Sequence, residues 1–226
     1  MQKTKHLTSI ALLTGFLAVL PVHAAPTSYS GSLTTADGGL IGTGGWVSDP
    51  DDDVVFSWRV TQNPDLSWHY LYTFDSTGIH GDISHLVIET SATFTTNDIY
   101  SDTPSVERGG PDFHGEGNGN PNIPETVYGV KFQNPGGSIM TVEFDSRRDP
   151  VWGDIFAKGG EQSGQLWNAG FTNPDSDPIA PPQDGSTEYH VLVPDSTNST
   201  VPGPGALLLA GLGVGGVGYL RRRRSL

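Results

Sequence analysis

Apolar residues alternate with polar ones along most of this chain, and this two-residue period is the feature that most restricts its fold. Successive side chains of a β-strand point to opposite faces, so alternation predicts half-buried strands. Two neighbouring runs show it best, with one face formed by Val54, Phe56, Trp58 and Val60 in the first and by Leu66, Trp68, Tyr70, Tyr72 and Phe74 in the second. Between residues 25 and 200 no stretch of ten residues keeps a helical period.

Eight or nine such runs predict an all-β domain built as an antiparallel β-sandwich. The runs are 28–34, 54–60, 66–74, 82–95, 126–132, 139–145, 154–159, 166–171 and 188–193. Glycine and proline fall mostly between them, as turns require. The pattern leaves jelly-roll and lectin- or immunoglobulin-like topologies open. Two stretches without periodicity, 101–126 and 173–188, are predicted to be long loops.

The N-terminal residues have the pattern of an export signal, which predicts a signal peptide at 1–24. Lys3 and Lys5 precede an apolar run over 10–20, and small residues lead up to a cleavage position after Ala24. A permanent N-terminal anchor is the weaker alternative, because the run is too short for a hydrocarbon core of roughly 30 Å. The β-sandwich is then expected at 25–195, with a polar linker at 196–200.

The charge of the expected domain is strongly negative. Residues 25–200 carry all 25 acidic residues and only six basic ones, a formal charge of −19 against −13 for the whole chain. Such a surface repels nucleic acid and anionic lipid, so a nucleic-acid partner is excluded. The chain has no cysteine, which excludes thiol catalysis, disulfides and cysteine-ligated metal sites.

The C-terminal segment, 201–226, combines a proline-glycine step, an apolar stretch and a basic cluster. The apolar core, 206–220, would span about 22 Å as a helix, which is short for a bilayer. Four arginines follow it: Arg221, Arg222, Arg223 and Arg224. By the positive-inside rule this cluster stays cytoplasmic. The segment therefore predicts a weak membrane helix at about 203–220, with the domain outside the inner membrane.

This three-part order resembles the PEP-CTERM sorting signal. The matching motif positions are Val201, Pro202, Gly203 and Pro204, with Gly203 where that family carries glutamate. The resemblance covers only 201–226. It implies export by a Gram-negative bacterium that makes exopolysaccharide, processing by signal peptidase and an exosortase, transient membrane anchoring, and a final place at the cell surface or outside the cell. A plain membrane anchor that is never cleaved is the alternative.

Two acidic turns are candidates for a hard cation such as calcium, which prefers carboxylate oxygens. Their residues are Asp51, Asp52 and Asp53 in the first turn, and Asp175 and Asp177 in the second. Neither has the spacing of a calcium-binding loop, so solvated turns are the simpler interpretation. Convergence of the two turns on one ion is the arrangement that would make a site. No other cofactor is predicted.

Three further groups of residues are candidates for chemistry or binding. Glu143 and Asp145 share one strand face about 7 Å apart, a separation that paired carboxylates use in glycoside hydrolysis. A strand edge paired to Arg147 or Arg148 is the simpler interpretation. His114 and Glu116 lie in a predicted loop and are weaker metal candidates. The candidates for carbohydrate contact are Trp46, Trp152 and Trp167.

Taken together, the sequence predicts a non-enzymatic surface or extracellular-matrix protein associated with exopolysaccharide or biofilm. Two alternatives remain open. One is a β-sandwich carbohydrate-active enzyme that works through Glu143 or Asp145. The other is an adhesin module stabilised by calcium.

Overall fold

The computed structural model describes residues 27–47, 53–78, 81–102, 107–134, 136–160 and 164–194. Thirteen strands occur in these ranges: β1 Ser28–Thr34, β2 Leu40–Gly42, β3 Val55–Gln62, β4 Trp68–Asp75, β5 Ile83–Glu89, β6 Ile99–Asp102, β7 Glu107–His114, β8 Val127–Gln133, β9 Ile139–Ser146, β10 Pro150–Gly153, β11 Ile155–Gly159, β12 Gln165–Asn168 and β13 Val191–Pro194. The predicted signal peptide, the linker at 196–200 and the C-terminal segment lie outside the described residues.

The strands pair antiparallel throughout. One sheet has the order β1-β3-β4-β9-β6, a second has the order β2-β12-β11-β5-β8-β7, and β10 pairs with β13 in a separate two-stranded ladder. This arrangement confirms the all-β expectation and is consistent with a β-sandwich. Among the described residues, no helix has both the length and the apolar character needed to cross a membrane.

An aromatic core joins the two larger sheets. Phe132 of β8 and Phe144 of β9 stack with their ring centroids 5.9 Å apart, although their strands belong to different sheets. The predicted inward faces of β3 and β4 are confirmed, including Trp58 and Trp68 as core residues. Leu66 is the exception: it is 73% exposed and has a left-handed φ of 69° in the turn between β3 and β4.

The prediction of a long loop at 101–126 was wrong for much of its length. It contains the end of β6 and all of β7, which pairs with β8 at the edge of the second sheet. The sequence pattern did not predict this strand, and the reason is physical. Gly109, Gly110 and Pro111 interrupt it, the register shifts between Arg108 and Pro111, and four of its eight residues are exposed while only one is buried. An edge strand of this kind shows no alternation.

The second predicted loop is present and is longer than expected. After β12 the chain runs from Ala169 to His190 with only an isolated bridge between Thr187 and His190. It returns as β13, whose four residues are all buried. The hydroxyl of Tyr72 donates to the carbonyl of Leu192 at 2.9 Å, which ties β13 to the first sheet. The long connection therefore returns the chain to the core, next to β10.

Candidate metal centre

Four side chains of metal-ligating types converge where the long connection passes the corner between β10 and β11. Asp154 occupies that corner, Asp175 and Asp177 lie in the connection, and His190 directly precedes β13. Each side chain offers one ligand atom, and the four atoms all lie within 4.8 Å of one another. The fold thus gathers three carboxylates and one imidazole at a single point.

Asp154 is held by both its backbone and its side chain. Its N–H donates to Oε2 of Glu89 at 2.8 Å, and its Oδ1 accepts a hydrogen bond from Nδ2 of Asn168. Asn168 is fully buried; it also donates to the carbonyl of Tyr189 at 2.9 Å and accepts from the N–H of Ile155 at 2.9 Å. One buried amide therefore ties the β10–β11 corner to the start of β13.

His190 is oriented by its backbone surroundings. Its Nδ1 lies 3.2 Å from the carbonyl oxygen of Thr187. A carbonyl only accepts hydrogen bonds, so Nδ1 carries the proton and Nε2 presents a lone pair when the ring is neutral. That Nε2 lies 3.6 Å from Oδ1 of Asp154 and 3.9 Å from Oδ1 of Asp177. A methyl group on Gly170 would lie 2.5 Å from the ring, so the glycine lets the imidazole fit here.

Burial and neighbouring carboxylates shift the pKa values of the titratable residues in this cluster. Burial, and then the neighbouring Asp177 and Asp175, raise the pKa of Glu89 to about 9. Burial and then Asp175 raise the pKa of Asp177 to about 7, and burial also raises the pKa of Asp154 well above its ordinary value. Burial lowers the pKa of His190, so the imidazole favours its neutral form. The site is therefore an acidic, water-poor environment in which either a proton or a cation is stabilised.

Two polar atoms of the cluster are buried without a hydrogen-bond partner among the described residues: Oδ2 of Asp154 and Nε2 of His190. The side chain of Asp154 is fully buried, and that of His190 is 3% exposed. An unpartnered buried polar atom is costly and needs an explanation. In the neutral imidazole and the ionised carboxylate both atoms can only accept, so the partner they lack is a proton, a hydrogen-bond donor or a metal ion.

A groove of about 70 Å³ reaches this region from the surface. Glu89 and Asp177 contribute to its lining, together with Trp152 and Val193. The volume holds a few water molecules, whereas pockets for small organic ligands start at roughly 300 Å³. The groove suits access by a hydrated ion better than binding of a sugar ring.

The structure brings only part of the predicted acidic residues together. Asp175 and Asp177 belong to the cluster. Asp53 does not, because its Oδ1 accepts hydrogen bonds from the hydroxyl of Thr35 at 2.6 Å and from the N–H of Ala36 at 3.0 Å. Asp53 therefore does not bring the two turns together on one ion. Asp51 and Asp52 lie outside the described residues.

The tryptophan prediction requires a correction at two of its three positions. Trp46 is fully buried and its ring centroid lies 5.3 Å from that of Phe74. Trp152 is 1% exposed, since it points inward from β10. Neither can stack on a sugar from solvent. Trp167 is half-buried on β12 and packs against a smaller apolar cluster that includes Phe171.

Glu143 and Asp145 share one face of β9 as predicted, but their partner is His69 on β4. Nε2 of His69 lies 3.3 Å from Glu143, and Nδ1 lies 2.8 Å from Asp145. Of the two arginines considered as partners, Arg148 pairs with Asp98 instead, and β6 covers the edge of β9 at Asp145.

His114 and Glu116 do not form a metal site in a loop. His114 is the last residue of β7 and is buried, with Nε2 3.1 Å from the carbonyl oxygen of Gly129. Glu116 is exposed and begins a short 3₁₀ turn.

Sequence reasoning missed Asp154, His190, Glu89 and Asn168. The usable signal was a polar residue at the boundary of an apolar run, as in "VWGDIF" and "EYHVLV". Such a residue is buried with the strand that it flanks and needs a polar partner. No family model, no curated protein and no solved structure matches this chain.

Proposed function

We propose that this chain is an exported surface or extracellular-matrix protein, sorted by an exosortase, with no catalytic activity of its own. The observation that carries the proposal is the three-part C-terminal segment, with Pro202-Gly203-Pro204, a short apolar stretch and Arg221–Arg224. Export by a Gram-negative bacterium, transient membrane anchoring and association with exopolysaccharide or biofilm are parts of the same proposal.

The fold class of the domain supports this proposal. Two antiparallel sheets over one aromatic core form the kind of sandwich that lectin-like and adhesin modules use, whether jelly-roll or immunoglobulin-like. The last strand ends at Pro194, just before the expected linker and sorting signal. Loss of the signal would therefore leave every described strand intact.

Two features of the domain bear on the non-catalytic part of this proposal. His69 lies between the carboxylates of Glu143 and Asp145, which gives this pair a structural role in the sheet. The groove beside the acidic cluster is far smaller than a pocket for a sugar ring.

The test is the intact mass of the protein in each cell fraction of its host. The expected species spans 25 to about 202 and is found at the surface or in the medium. Replacing Arg221–Arg224 with glutamine should abolish processing, because the basic cluster is part of the signal. Arg147→Gln in the domain is the matched control and should leave processing unchanged.

Two results would contradict the proposal. One is a species that keeps Arg221–Arg224 and stays in the inner membrane. The other is turnover of a polysaccharide by the purified protein that disappears in Glu143→Gln. The first refutes the sorting and the second refutes the lack of catalysis.

A further inference from the structure

We propose that Asp154, Asp175, Asp177 and His190 bind one divalent metal ion of the class that accepts an imidazole ligand, for which Zn²⁺ is the representative. The site differs from the calcium site expected from the acidic turns, both in its residues and in its ion. It does not depend on export or sorting, because it lies entirely within the folded domain.

The geometry of the four ligand atoms fits a single ion. Zinc binds histidine nitrogen and carboxylate oxygen at about 2.0–2.2 Å, so tetrahedral ligands lie about 3.4 Å apart. Nε2 of His190 is 3.6 Å from Asp154 and 3.9 Å from Asp177, and all four atoms fall within 4.8 Å. The two pairs that include His190 would therefore contract by about 0.2 and 0.5 Å to reach this spacing, and the widest pair by at most about 1.4 Å.

The unpartnered atoms supply an independent reason. Nε2 of His190 and Oδ2 of Asp154 are buried and lack a hydrogen-bond partner among the described residues, and both belong to ligand side chains. A neutral imidazole lone pair that faces carboxylates is repelled by them. A cation placed between the groups turns that repulsion into attraction.

The surrounding residues have the form of an outer coordination shell. A metal-binding histidine usually donates its other ring N–H to a backbone carbonyl, as His190 does to Thr187. Ligating carboxylates are themselves hydrogen-bonded, as Asp154 is to Asn168. Asp177 also lines the groove and its side chain is 39% exposed, so one of the four ligands is open to solvent.

The imidazole ligand determines which class of metal ion suits this site. Calcium and magnesium are bound by oxygen ligands, whereas imidazole suits zinc and its transition-metal neighbours. Three carboxylates supply more than enough negative charge to neutralise a divalent ion without a thiolate, which this chain cannot offer. Calcium would leave Nε2 of His190 without a suitable partner.

The bound ion would act as a clasp for the long connection. Asp175 and Asp177 come from the connection, whereas Asp154 is fixed at the corner of the second sheet. Other ties of the connection are hydrogen bonds to its neighbours, such as the N–H of Asp175 to Glu125 at 2.7 Å and the N–H of Gly185 to Ser30 at 2.8 Å. The ion would join its acidic part directly to the sheet.

The experiment uses the full chain without a histidine tag, stripped with a chelator, dialysed, and then exposed to Zn²⁺, Mn²⁺, Ca²⁺ or Mg²⁺ separately. Elemental analysis should find one Zn²⁺ retained per chain. At about a hundredfold excess over the dissociation constant, Zn²⁺ should raise the melting temperature by roughly 5–10 °C. Mn²⁺ should give a smaller rise, since it binds nitrogen–oxygen sites more weakly, and Ca²⁺ and Mg²⁺ should give little.

Variants separate metal binding from ordinary stability. His190→Gln and Asp177→Asn should lose the ion, and Asp177 is partly exposed, so its variant should fold. His69→Gln is the matched control, because His69 also lies between two carboxylates, and it should keep the ion. Asp154→Asn should abolish the rise in melting temperature caused by Zn²⁺.

Three results would overturn the inference. The first is the absence of any ion retained at one per chain. The second is a response to Ca²⁺ that equals the response to Zn²⁺ and survives in His190→Gln, which would indicate an oxygen-only site. The third is loss of the ion in His69→Gln while His190→Gln keeps it.

Discussion

Arg147 and Arg148 are adjacent in sequence and lie in opposite environments, and this contrast allows a sharp test of the fold. Arg148 is 7% exposed, and its guanidinium donates to both carboxylate oxygens of Asp98, at 2.9 and 3.0 Å. It also donates to the carbonyl of Thr93 at 2.7 Å and lies over the ring of Phe94. Arg148 therefore fastens the segment between β5 and β6 to the end of β9.

The change Arg148→Met keeps the length of the side chain and removes the charge. Loss of one partner of a buried ion pair costs about 3–5 kcal/mol, because the other charge stays buried. Asp98 keeps 21% of its side-chain surface, so we expect the lower end, about 3 kcal/mol. For a domain of this size that corresponds to a fall of roughly 6–12 °C in melting temperature.

The control is Arg147→Met. Arg147 is exposed and contacts the ring of Tyr100 at 5.8 Å, an interaction worth about 0.5–1 kcal/mol at an exposed site. Urea unfolding followed by tryptophan fluorescence gives both free energies of unfolding. Adding Asp98→Asn to Arg148→Met should recover part of the loss, because the orphaned charge disappears. Equal losses in the two single variants would refute the assignment of Arg148 as the buried clamp.

Three further predictions follow from single positions. Burial, and then Lys131, lower the pKa of His85 to about 4 in the folded chain, so between pH 6.5 and 4 the unfolded chain binds a proton that the folded chain does not. The free energy of unfolding should therefore fall by about 1.4 kcal/mol for each pH unit from 6.5 down to 4. Unfolding measured at each pH should show a flatter slope in His85→Gln. Gly42→Ala should cost about 3 kcal/mol in a urea titration, because its methyl would collide with the backbone of Trp46, whereas Gly117→Ala points into open space and should be nearly neutral. Tyr72→Phe removes a buried hydrogen bond to a β13 carbonyl and should cost about 1 kcal/mol in the same assay, and no loss would contradict that contact.

The sequence predicted the fold best where one face of a strand is buried and the other is not. Strands β3 and β4 follow that pattern, so their inward residues were identified correctly from alternation alone. Strand β7 is a bulged edge with glycines and a proline, and β2 and β10 are only three and four residues long. A strand that is short or exposed on both faces carries no period that a sequence pattern can detect.

Only two of the four residues of the candidate site were predicted from the sequence, and the reason differs from that for the strands. Asp175 and Asp177 are close in sequence and stood out as an acidic pair. Asp154 and His190 belong to other elements, and only the return of the chain from β12 to β13 brings them together. Ligand patterns can be recognised from sequence when the spacing is local, as in a calcium-binding loop, and not when it is set by topology.

The position of β13 determines how the domain would carry mechanical load. A pull applied anywhere beyond Pro194 enters the fold through this strand, which is buried along its whole length and paired residue by residue with β10. A pull directed along the strand would load its ladder hydrogen bonds together in shear rather than open them one after another. Resistance of this kind depends on the barrier to unfolding rather than on equilibrium stability. A protein held by its C-terminal end would thus transmit tension directly into its core.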